Sequence, residues 1–493
     1  MMIRFRRSSK KDPGFKEVGL LRFPHTWLGS VRSKLLSNLS SEQFCILLGK
    51  KHDFTGGFCI NVLEIINPGS MVYVSNSIGH VSPSKEFIMF AISETLERAD
   101  IDTIIDVHTH PFCSDSVSFS VTDDDDEISF LQFITEKFDN INYASVVFSQ
   151  QRYEARYWRM VKGKAVPSPL TIRTATMREG ISKSQDYASN SSSLERELAA
   201  DGFLNRTALA LGRDTLISIV KTSSVMIVGV GGLGSAIAEN LVHMGFDHLI
   251  LVDDDIVEKS NLNRIVGAYW EDAMDARAKV EVVCRHLKSI RPSIKVRCEQ
   301  KKIGDVDVDA EIASLDWIVL ATDNHSSRFD AQELAFKHFI PIVSAGVAIT
   351  VENGEVWDYS GEVIVIRPGD CFCLSCLNRL NPTQIAFERT VSGLANNFAG
   401  GEPDVFLGPS KERLSGYVAG ANVKDPAVKM LNSVVASIAV EQLVDQYVCR
   451  SEHKPILIYE RNKHSAIYPD EESLRSRNLH CFTCSIRRSF VDS

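Results

Sequence analysis

Residues 224–235 read SVMIVGVGGLGS, and this stretch decides the fold of the C-terminal half of the chain. The apolar run at its start predicts a buried strand over 224–229. A glycine-rich turn follows, and a helix is expected after it. Glycine lets the backbone approach a phosphate closely, and the start of a helix offers amide donors to that phosphate. The four glycines of the turn are Gly229, Gly231, Gly232 and Gly234.

The sequence around this turn continues an alternation of helices and strands. A helix is predicted over 194–211, before the turn, and a second buried strand over 249–252, after it. Later apolar runs predict the strands 295–298, 317–321, 340–345 and 362–366. Strand, glycine turn, helix and strand in this order are typical of a doubly wound, Rossmann-like α/β fold. We therefore expect a largely parallel sheet in this half of the chain.

Charged side chains follow the strands of this predicted sheet. Asp253 comes about 20 residues after the last glycine of the turn, the interval at which an acid binds a ribose. A glycine turn followed by such an acid also fits an NAD-dependent dehydrogenase. Arg264 and Lys279 are cations suited to a triphosphate, and Asp323 follows a strand at a point where it can hold Mg²⁺. A dehydrogenase needs none of these three, so the set favours ATP.

From about residue 203 onward this set resembles the ThiF/MoeB/ubiquitin-activating superfamily, whose members adenylate the C-terminal glycine of a β-grasp protein. The resemblance implies that the glycines shape a nucleotide turn and that Asp253 binds the ribose. It assigns the phosphates to Arg264 and Lys279, and Mg²⁺ to Asp323. It also puts Arg206 where an arginine reaches the ATP of a partner subunit, which implies a homodimer. The other nucleotide contacts that we predict are Asp255, Asn261, Asn263 and Asn324.

Four of the 11 cysteines form two Cys-x-x-Cys pairs. These pairs are Cys373 with Cys376 and Cys481 with Cys484. Two such pairs are typical of a closed, structural zinc site, and the ThiF/MoeB relatives have the same two pairs. Relatives that form a thioester carry a nucleophilic cysteine in the loop after the first pair, whereas residues 377–447 contain none. The reaction is therefore expected to stop at an acyl-adenylate, which a cysteine of a separate conjugating protein or a sulfur donor would attack.

A second candidate site lies in the N-terminal half, where a predicted strand over 104–107 runs into the sequence HTHP. Alternate residues of an extended segment point the same way, so His108 and His110 can bind one metal ion. Asp123, at the start of a predicted helix, supplies a third ligand, and Asp124 is a competing one. Two histidines and one carboxylate are typical of catalytic zinc, which lowers the pKa of a bound water to about 7.

Such a site also needs a general base, and Glu42 stands at the start of an apolar strand where a charge is unexpected. A distant Glu, then His-x-His-Pro and Ser-x-x-Asp, resembles the JAMM (JAB/MPN) metallopeptidase family. That family hydrolyses isopeptide or peptide bonds at the C-terminus of ubiquitin-like proteins. The resemblance implies zinc on His108, His110 and Asp123, and a base role for Glu42. It implies oxyanion support from Ser120, although the spacer before this serine is longer than in the family pattern.

The chain divides into three stretches. Residues 18–160 are expected to form the JAB/MPN-type α/β domain, and residues 194–493 the ThiF-type domain. Pro167, Pro169 and a serine-rich stretch predict a linker over 161–193. The N-terminal domain is predicted to contain helices over 85–98 and 124–138 and strands over 44–48, 61–66, 104–107, 144–148 and 153–158.

Composition limits the remaining function classes. The net charge of −9 argues against a general nucleic-acid-binding protein. No apolar run reaches the roughly 20 residues that a membrane span needs. The basic N-terminus is not followed by an apolar signal core. A cytoplasmic location without membrane attachment is therefore expected.

Together the two sites predict a bifunctional enzyme of a prokaryotic ubiquitin-like modification system, with antiviral defence as its setting. One half would adenylate the C-terminal glycine of a ubiquitin-like protein, and the other would process that protein as a zinc isopeptidase. The expected cofactors are ATP, Mg²⁺ and two zinc ions, one catalytic and one structural. Three alternatives stay open: a sulfur-carrier pathway for cofactor or metabolite biosynthesis, a scaffold that binds the modifier without turnover, and a dehydrogenase.

Overall fold

The chain forms two compact units in a computed structural model. The first unit consists mainly of residues Asn38–Arg173, and the second mainly of Thr174–Asp307 and Ser314–Ser493. The structure describes residues 18–24, 27–67, 73–76, 81–113, 116–174, 182–183, 202–222, 224–308, 311, 314–352, 355–370, 372–397, 428–448, 454–461 and 466–485. None of the described helices combines the length and apolarity that a membrane span needs.

The described part of the chain up to residue 183 contains ten strands and three helices. Its strands are β1 (Val18–Phe23), β2 (Phe44–Phe54), β3 (Gly57–Ile66), β4 (Tyr73–Asn76), β5 (Val81–Pro83), β6 (Thr103–Thr109), β7 (Asn142–Phe148), β8 (Arg152–Val161), β9 (Lys164–Thr174) and β10 (Ser182–Lys183). Its helices are α1 (Trp27–Leu35), α2 (Lys85–Glu97) and α3 (Val121–Lys137). Each strand and helix predicted over residues 44–158 is therefore present, with ends shifted by a few residues.

The main sheet of the first unit follows the strand order β8-β7-β6-β2-β3-β1-β9, and β8 also pairs with β9. The sheet therefore closes on itself and leaves no free edge along this series of strands. Strands β6 and β7 are parallel, and helix α3 forms the crossover between them. Helices α2 and α3 cover one face of the sheet, where their apolar side chains share a core with β2, β6 and β7.

Strand β9 lies inside the segment that the prolines led us to predict as a linker. It forms an antiparallel hairpin with β8, in which Pro167 lies opposite Trp158. The hairpin turns at Lys162 and Gly163, which both have positive φ angles, as a tight turn between twisted strands requires. Leu170 of β9 is fully buried. The linker prediction is thus wrong for this strand, because proline excludes only those strand positions whose N–H must donate. Residues 175–181 and 184–193 lie outside the described residues.

The described elements after residue 202 form a second α/β unit. Its strands are β11 (Ser224–Val228), β12 (His248–Val252), β13 (Lys295–Glu299), β14 (Leu315–Leu320), β15 (Ile342–Glu352), β16 (Glu355–Ile366), β17 (Ile456–Glu460) and β18 (Ala466–Pro469). Its helices are α4 (Asn205–Leu211), α5 (Arg213–Thr222), α6 (Gly232–His243), α7 (Trp270–Met274), α8 (Lys279–Ile290), α9 (His325–Lys337), α10 (Pro382–Asn397), α11 (Lys429–Val448), α12 (Glu471–Arg475) and α13 (Phe482–Ser485). Of the helix predicted over 194–211, residues 194–201 lie outside the described residues.

The second sheet follows the order β13-β12-β11-β14-β15-β16-β17-β18. The first five strands in this order, from β13 across to β15, run parallel to one another. Strands β16, β17 and β18 are each antiparallel to the strand before them. Strand β11 has β12 on one side and β14 on the other, so the direction of chain progression reverses at β11. A crevice opens beyond the carboxyl ends of the strands at such a switch point, and ligands bind there in doubly wound folds. The glycine turn follows β11 directly.

We expect the loss of the Leu170 side chain to destabilise the first unit by about 2–5 kcal/mol, because Leu→Ala leaves a cavity in a closed core. Val166, on the same strand but 43% exposed, provides the matched control. Val166→Ala should change stability by no more than about 0.5 kcal/mol. Hydrogen exchange of peptides from β7 and β8, followed by mass spectrometry, reports on this unit alone. Equal protection in both variants would mean that β9 is not part of the fold.

Candidate functional site

The carboxyl end of strand β6 brings two histidines to one place. His108 is the penultimate residue of β6, and His110 follows the strand directly. The His110 N–H donates to the Phe148 carbonyl at the end of the neighbouring strand β7, at 2.8 Å. The backbone of Gln43 is hydrogen-bonded to both the N–H and the side chain of Thr109. Because Glu42 precedes Gln43, this pairing holds Glu42 beside the histidines.

Asp123, in the first turn of α3, completes the cluster. Its Oδ1 lies 3.6 Å from His108 Nε2, and its Oδ2 lies 3.6 Å from His110 Nε2. One nitrogen or oxygen atom from each of the three side chains falls within 4.8 Å of the other two, so they can share one metal ion. Glu42, which is almost completely buried, places Oε1 3.7 Å from His110 Nε2. All four residues predicted to bind the metal or act as the base are thus together.

The charges of this cluster support a cation between the three side chains. Burial alone would lower the pKa of His108, but the hydrogen bond and negative charge of Asp123 outweigh it and raise that pKa. The same contacts hold the pKa of Asp123 below its usual range, despite burial. Burial and the charge of His108 lower the pKa of His110. Burial raises the pKa of Glu42 to about 7, against the opposing charge of His108. Two imidazoles and a deprotonated carboxylate are a donor set that zinc accepts.

A capping box fixes the position of Asp123. The Ser120 hydroxyl accepts a hydrogen bond from the Asp123 N–H, and Asp123 Oδ2 accepts one from the Ser120 N–H. The carboxylate that would bind the metal is therefore also a cap of α3. Asp124, the competing ligand, is instead paired with Arg156, whose Nη1 lies 2.5 Å from Asp124 Oδ1. The oxyanion role of Ser120 stays a prediction.

A buried polar network that we did not predict lies beneath this cluster. Glu127 of α3 accepts hydrogen bonds from Ser145, Trp158 and Arg156. The Arg156 guanidinium also lies 3.6 Å above the Phe119 ring, which packs edge-on against His108. This network spans α3, β7 and β8, so no local sequence pattern could have revealed it.

A cavity of about 250 Å³ opens at the cluster, between the sheet and helices α2 and α3, and Glu42, His108 and Asp123 are part of its wall. Asp106 of β6 lines it, and its Oδ2 accepts a hydrogen bond from Tyr143. The other oxygen, Oδ1, is buried and accepts no hydrogen bond from any described residue. Burial and the charge of Glu127 raise the pKa of Asp106 to about 7. The signal for Asp106 was an acid inside the apolar strand 104–107, which we did not single out.

The second unit forms the other candidate site at the switch point of its sheet. Helix α6 begins inside the glycine turn, and the turn packs tightly against the end of β14. A Cβ on Gly229 would lie 2.9 Å from the Ala321 carbonyl oxygen, and one on Gly234 only 1.8 Å from the Gly229 carbonyl oxygen. A Cβ on Gly231, in contrast, would meet no atom within 4 Å. The open space at Gly231 faces away from the packed elements and is available to a ligand.

The acid after β12 is joined to this turn. Asp253 Oδ2 accepts a hydrogen bond from the Val230 N–H at 2.7 Å, and its Oδ1 accepts one from the Asp255 N–H. Lys279 lies 3.9 Å from Asp253 Oδ1 and 2.7 Å from Asp255 Oδ2. Burial raises the pKa of Asp253, although the charge of Lys279 opposes this. The acid predicted to bind the ribose and the cation predicted to bind the phosphates thus lie together after the carboxyl ends of β11 and β12.

Arg264 also reaches the glycine turn. A Cβ on Gly232 would lie 2.9 Å from Arg264 Cγ, so the aliphatic part of Arg264 covers the start of α6. Its Nη1 donates to the Ser260 carbonyl and to Asn263 Oδ1. Asn261 is buried, and its side chain accepts a hydrogen bond from the Glu258 N–H. Asn261 therefore shapes the loop that carries Arg264.

The remaining predicted nucleotide contacts differ in their surroundings. Asp323 follows β14 and is exposed. Asn324 is the N-cap of α9, and its Oδ1 accepts hydrogen bonds from the Ser327 N–H and the Ser326 hydroxyl. Its oxygen is thus already used, so only its amide group is available to a nucleotide. Arg206 lies exposed on α4, and its predicted role in a partner subunit's site stays a prediction.

The two Cys-x-x-Cys pairs form one buried cluster. The sulfur atoms of Cys373, Cys376, Cys481 and Cys484 lie within 4.8 Å of one another. Cys373 Sγ is 3.5 Å from Cys481 Sγ, and Cys376 Sγ accepts a hydrogen bond from the Cys373 N–H. Crowding by the neighbouring sulfurs and burial raise the pKa of Cys373 far above its usual range. A divalent cation would relieve this crowding by stabilising thiolates, so the donor set fits a structural zinc ion.

Comparison with known proteins identifies relatives of the second unit. The ThiF family model matches residues 204–477. Molybdopterin-synthase adenylyltransferase of Escherichia coli is 35% identical over 161 residues, 33% of this chain and 61% of that protein. The SAMP-activating enzyme E1 of Haloferax volcanii is 29% identical over 156 residues, 32% of this chain and 53% of that protein. Ubiquitin-like modifier-activating enzyme 5 of Drosophila willistoni is 30% identical over 184 residues, 35% of this chain and 43% of that protein.

The chain thus spans about half the length of the curated relatives that it matches. Among solved structures, Escherichia coli MccB with succinimide is similar at 18% identity and a TM-score of 0.42, over 58% of this chain and 74% of that one. This likeness is too low to bear on the site. The family match begins at residue 204 and does not include the histidine cluster of the first unit.

The contrast between two glycines gives a test of the nucleotide turn. Gly231→Ala should leave the fold intact but weaken ATP binding, because the added methyl group enters the open space. Gly234→Ala should destabilise the second unit, because its methyl group meets the backbone at 1.8 Å. Thermal unfolding and calorimetric titration with ATP separate the two effects. Normal ATP binding by Gly231→Ala would exclude the turn as the nucleotide site.

Metal content tests the two clusters separately. The purified chain is expected to carry two zinc ions, and Asp123→Asn should lower this to one without unfolding the protein. Cys376→Ser should remove the other ion and destabilise the second unit, because structural zinc binding contributes folding energy. Asp125→Asn, an exposed acid in the same turn as Asp123, should retain both ions. Inductively coupled plasma mass spectrometry measures the content, and equal zinc in Asp123→Asn and Asp125→Asn would contradict the first site.

Proposed function

Because this chain belongs to the ThiF family, we propose that its second unit is an ATP-dependent adenylyltransferase that activates the C-terminal glycine of a ubiquitin-like protein. The observation that carries this proposal is the contact between the glycine turn, Asp253 and Lys279 at the switch point of the sheet. The open space at Gly231 gives a triphosphate direct access to the backbone amides at the start of α6.

The charges of the residues around the crevice determine which part of the nucleotide each one binds. Asp253 binds the ribose, and Lys279 and Arg264 bind the phosphates. The carboxylate of the substrate attacks the α-phosphorus, the bond to the bridging oxygen breaks, and pyrophosphate leaves. Negative charge builds up on the departing pyrophosphate, and the two cations stabilise it. Mg²⁺ bound by Asp323 would neutralise phosphate charge. The exposed Asp323 has room for such an ion.

The same proposal includes the fate of the product. The absence of a cysteine from residues 377–447 leaves the acyl-adenylate as the last intermediate on this chain. A cysteine on a separate conjugating protein, or a sulfur donor, takes the acyl group from AMP. We include a homodimer in the proposal, in which the exposed Arg206 reaches the ATP of the partner subunit.

Lys279→Ala should reduce partner-dependent exchange of labelled pyrophosphate into ATP by about 10²–10³-fold, the usual cost of losing one electrostatic stabiliser of a transition state. Lys301→Ala, an exposed lysine elsewhere in the unit, serves as the control and should exchange at the normal rate. The assay uses the full chain, ATP, Mg²⁺ and glycine-terminated β-grasp proteins from the native organism. No exchange with any of them, while calorimetry shows ATP bound, would exclude this substrate class.

We propose in addition that the first unit is a zinc metallopeptidase of the JAMM (JAB/MPN) type that processes the same ubiquitin-like protein. Convergence of Glu42, His108, His110 and Asp123 in one cluster favours this second activity. Zinc held by the last three residues would supply an activated water. Glu42 accepts the proton of that water and passes it to the leaving amine, a role suited to a carboxyl group with a pKa of about 7. Ser120 supports the oxyanion.

Glu42→Gln should abolish cleavage of a precursor or conjugate while leaving the zinc content unchanged, because Glu42 is not among the three ligands. Glu136→Gln, an exposed glutamate on α3, should cleave normally. Mass spectrometry of the products gives the cleavage site, and metal analysis gives the zinc content. Full activity of Glu42→Gln would remove Glu42 from the mechanism.

Two opposed activities on one chain are consistent with a single modifier that is trimmed or removed by the first unit and activated by the second. An isopeptide-linked product would assign the chain to protein modification, and a thiocarboxylate on the partner would assign it to sulfur transfer. Loss of both activities with the sites intact would leave a scaffold role. The prokaryotic setting and antiviral defence stay predictions, because nothing in the described residues bears on them.

A further inference from the structure

The cavity at the histidine cluster extends beyond the metal ligands. About half of its wall is apolar, and the apolar residues come from β2, β5, β6, α2 and α3. They include Phe44, Ile46, Pro83, Ile88, Ala91 and Phe130. A volume of about 250 Å³ is more than water alone requires, since one water molecule occupies about 30 Å³ of liquid. The cavity is therefore large enough for a long side chain.

Most of the polar groups of the cavity are acidic. Besides Glu42 and Asp123 of the metal cluster, Asp106 and Glu127 line it, and the exposed Asp126 is part of its wall. The other polar lining residues are His108, Ser82 and Tyr143. Arg156 neutralises Glu127, and Tyr143 uses one oxygen of Asp106. The other Asp106 oxygen is buried without a hydrogen-bond donor among the described residues. No lysine or arginine is among the described residues that line the cavity, so a bound cationic group would face Asp106 with no basic side chain other than His108 beside it.

Asp106 lies at a short, fixed distance from the metal cluster, where the substrate bond would be cleaved. Asp106 and His108 are two residues apart on one face of β6, which separates their Cα atoms by about 7 Å. That distance matches the reach of a lysine or arginine side chain from its own backbone. A substrate residue next to the bond at the metal cluster can therefore extend a basic side chain along the apolar walls to Asp106.

We propose that this cavity is a specificity pocket for a lysine or arginine side chain of the substrate, with Asp106 as the residue that recognises its charge. This inference rests on the proposed peptidase function of the first unit. Apolar walls bind the methylene groups of such a side chain, and the carboxylate binds its charged end. The substrate class is thus a protein or peptide with a basic residue beside the cleaved bond.

Binding of n-pentylamine tests the pocket without requiring catalysis. The amine is a cation at neutral pH and has the length of a lysine side chain, and pentan-1-ol is its uncharged analogue. Ligand-observed NMR with the zinc-loaded full chain should show binding of the amine but not of the alcohol. Asp106→Asn should weaken amine binding at least about tenfold, as expected for a hydrogen bond to a charged group. Asp125→Asn should leave binding unchanged. Equal binding by Asp106→Asn, as a direct contact of the amine with zinc would give, would overturn the proposal.

A second variant covers the case in which Asp106→Asn does not fold. Ser82 lines the cavity from the short strand β5 and is only partly buried, so a longer side chain fits there. Ser82→Lys would extend a tethered ammonium group into the pocket and should exclude n-pentylamine. If the amine still binds to this variant as it does to the unaltered chain, the pocket is not its site.

Cleavage of a peptide library separates this inference from the peptidase proposal. The zinc-loaded chain is incubated with peptides of random sequence, and the products are identified by mass spectrometry. Enrichment of lysine and arginine at one position beside the cleaved bond, lost in Asp106→Asn, would support the pocket. Cleavage without such enrichment would overturn the pocket and leave the peptidase function in place. If no peptide is cleaved, the peptidase proposal is weakened, and the amine-binding result alone decides the pocket.

Discussion

The first turn of α6 lies so close to the end of β11 that no side chain fits between them. A Cβ on Gly234 would lie 1.8 Å from the Gly229 carbonyl oxygen, and one on Gly229 would press on the end of β14. This contact joins the helix to both strands at the switch point of the second sheet. The crevice and the positions of Asp253 and Asp323 at its edges depend on that contact, because any side chain there would push the elements apart.

In the first unit, the start of helix α3 holds a residue of the candidate metal site in place. Asp123 caps α3 through the Ser120 N–H and at the same time faces His108 and His110. Its carboxylate is therefore oriented by the backbone and not by side-chain packing alone, which limits its freedom before a metal binds. The first turn of α3 and the histidine cluster therefore share one carboxylate, and the ion pair between Asp124 and Arg156 holds the same turn.

Much of this arrangement could be predicted from the sequence wherever one local pattern determines it. The glycine turn, the alternating histidines and the paired cysteines each specify their own backbone geometry, and the structure brings each group together. Strand β9 could not be predicted, because proline occurs both in linkers and at strand positions whose N–H need not donate. Asn324 is ambiguous in another way, since an asparagine after a strand can bind a nucleotide or cap the next helix, and here it forms the N-cap. The network of Asp106, Glu127 and Arg156 depends on packing between distant elements, which local spacing does not encode.

Two acids in the first core have different surroundings. Glu127 accepts hydrogen bonds from three side chains through Oε2. Its Oε1 accepts none from the described residues but lies 2.9 Å from Arg156 Nη2, so the charge of Glu127 is paired. Asp106 has one donor, Tyr143, and a second oxygen left without any among the described residues. An unsatisfied buried acceptor costs about 1–3 kcal/mol, a sizeable fraction of the stability of a domain. An apolar residue would fill this position of β6 at no such cost. The acid lies at the cavity wall, two residues from a predicted metal-site histidine, and exceptions of this kind are expected at functional sites.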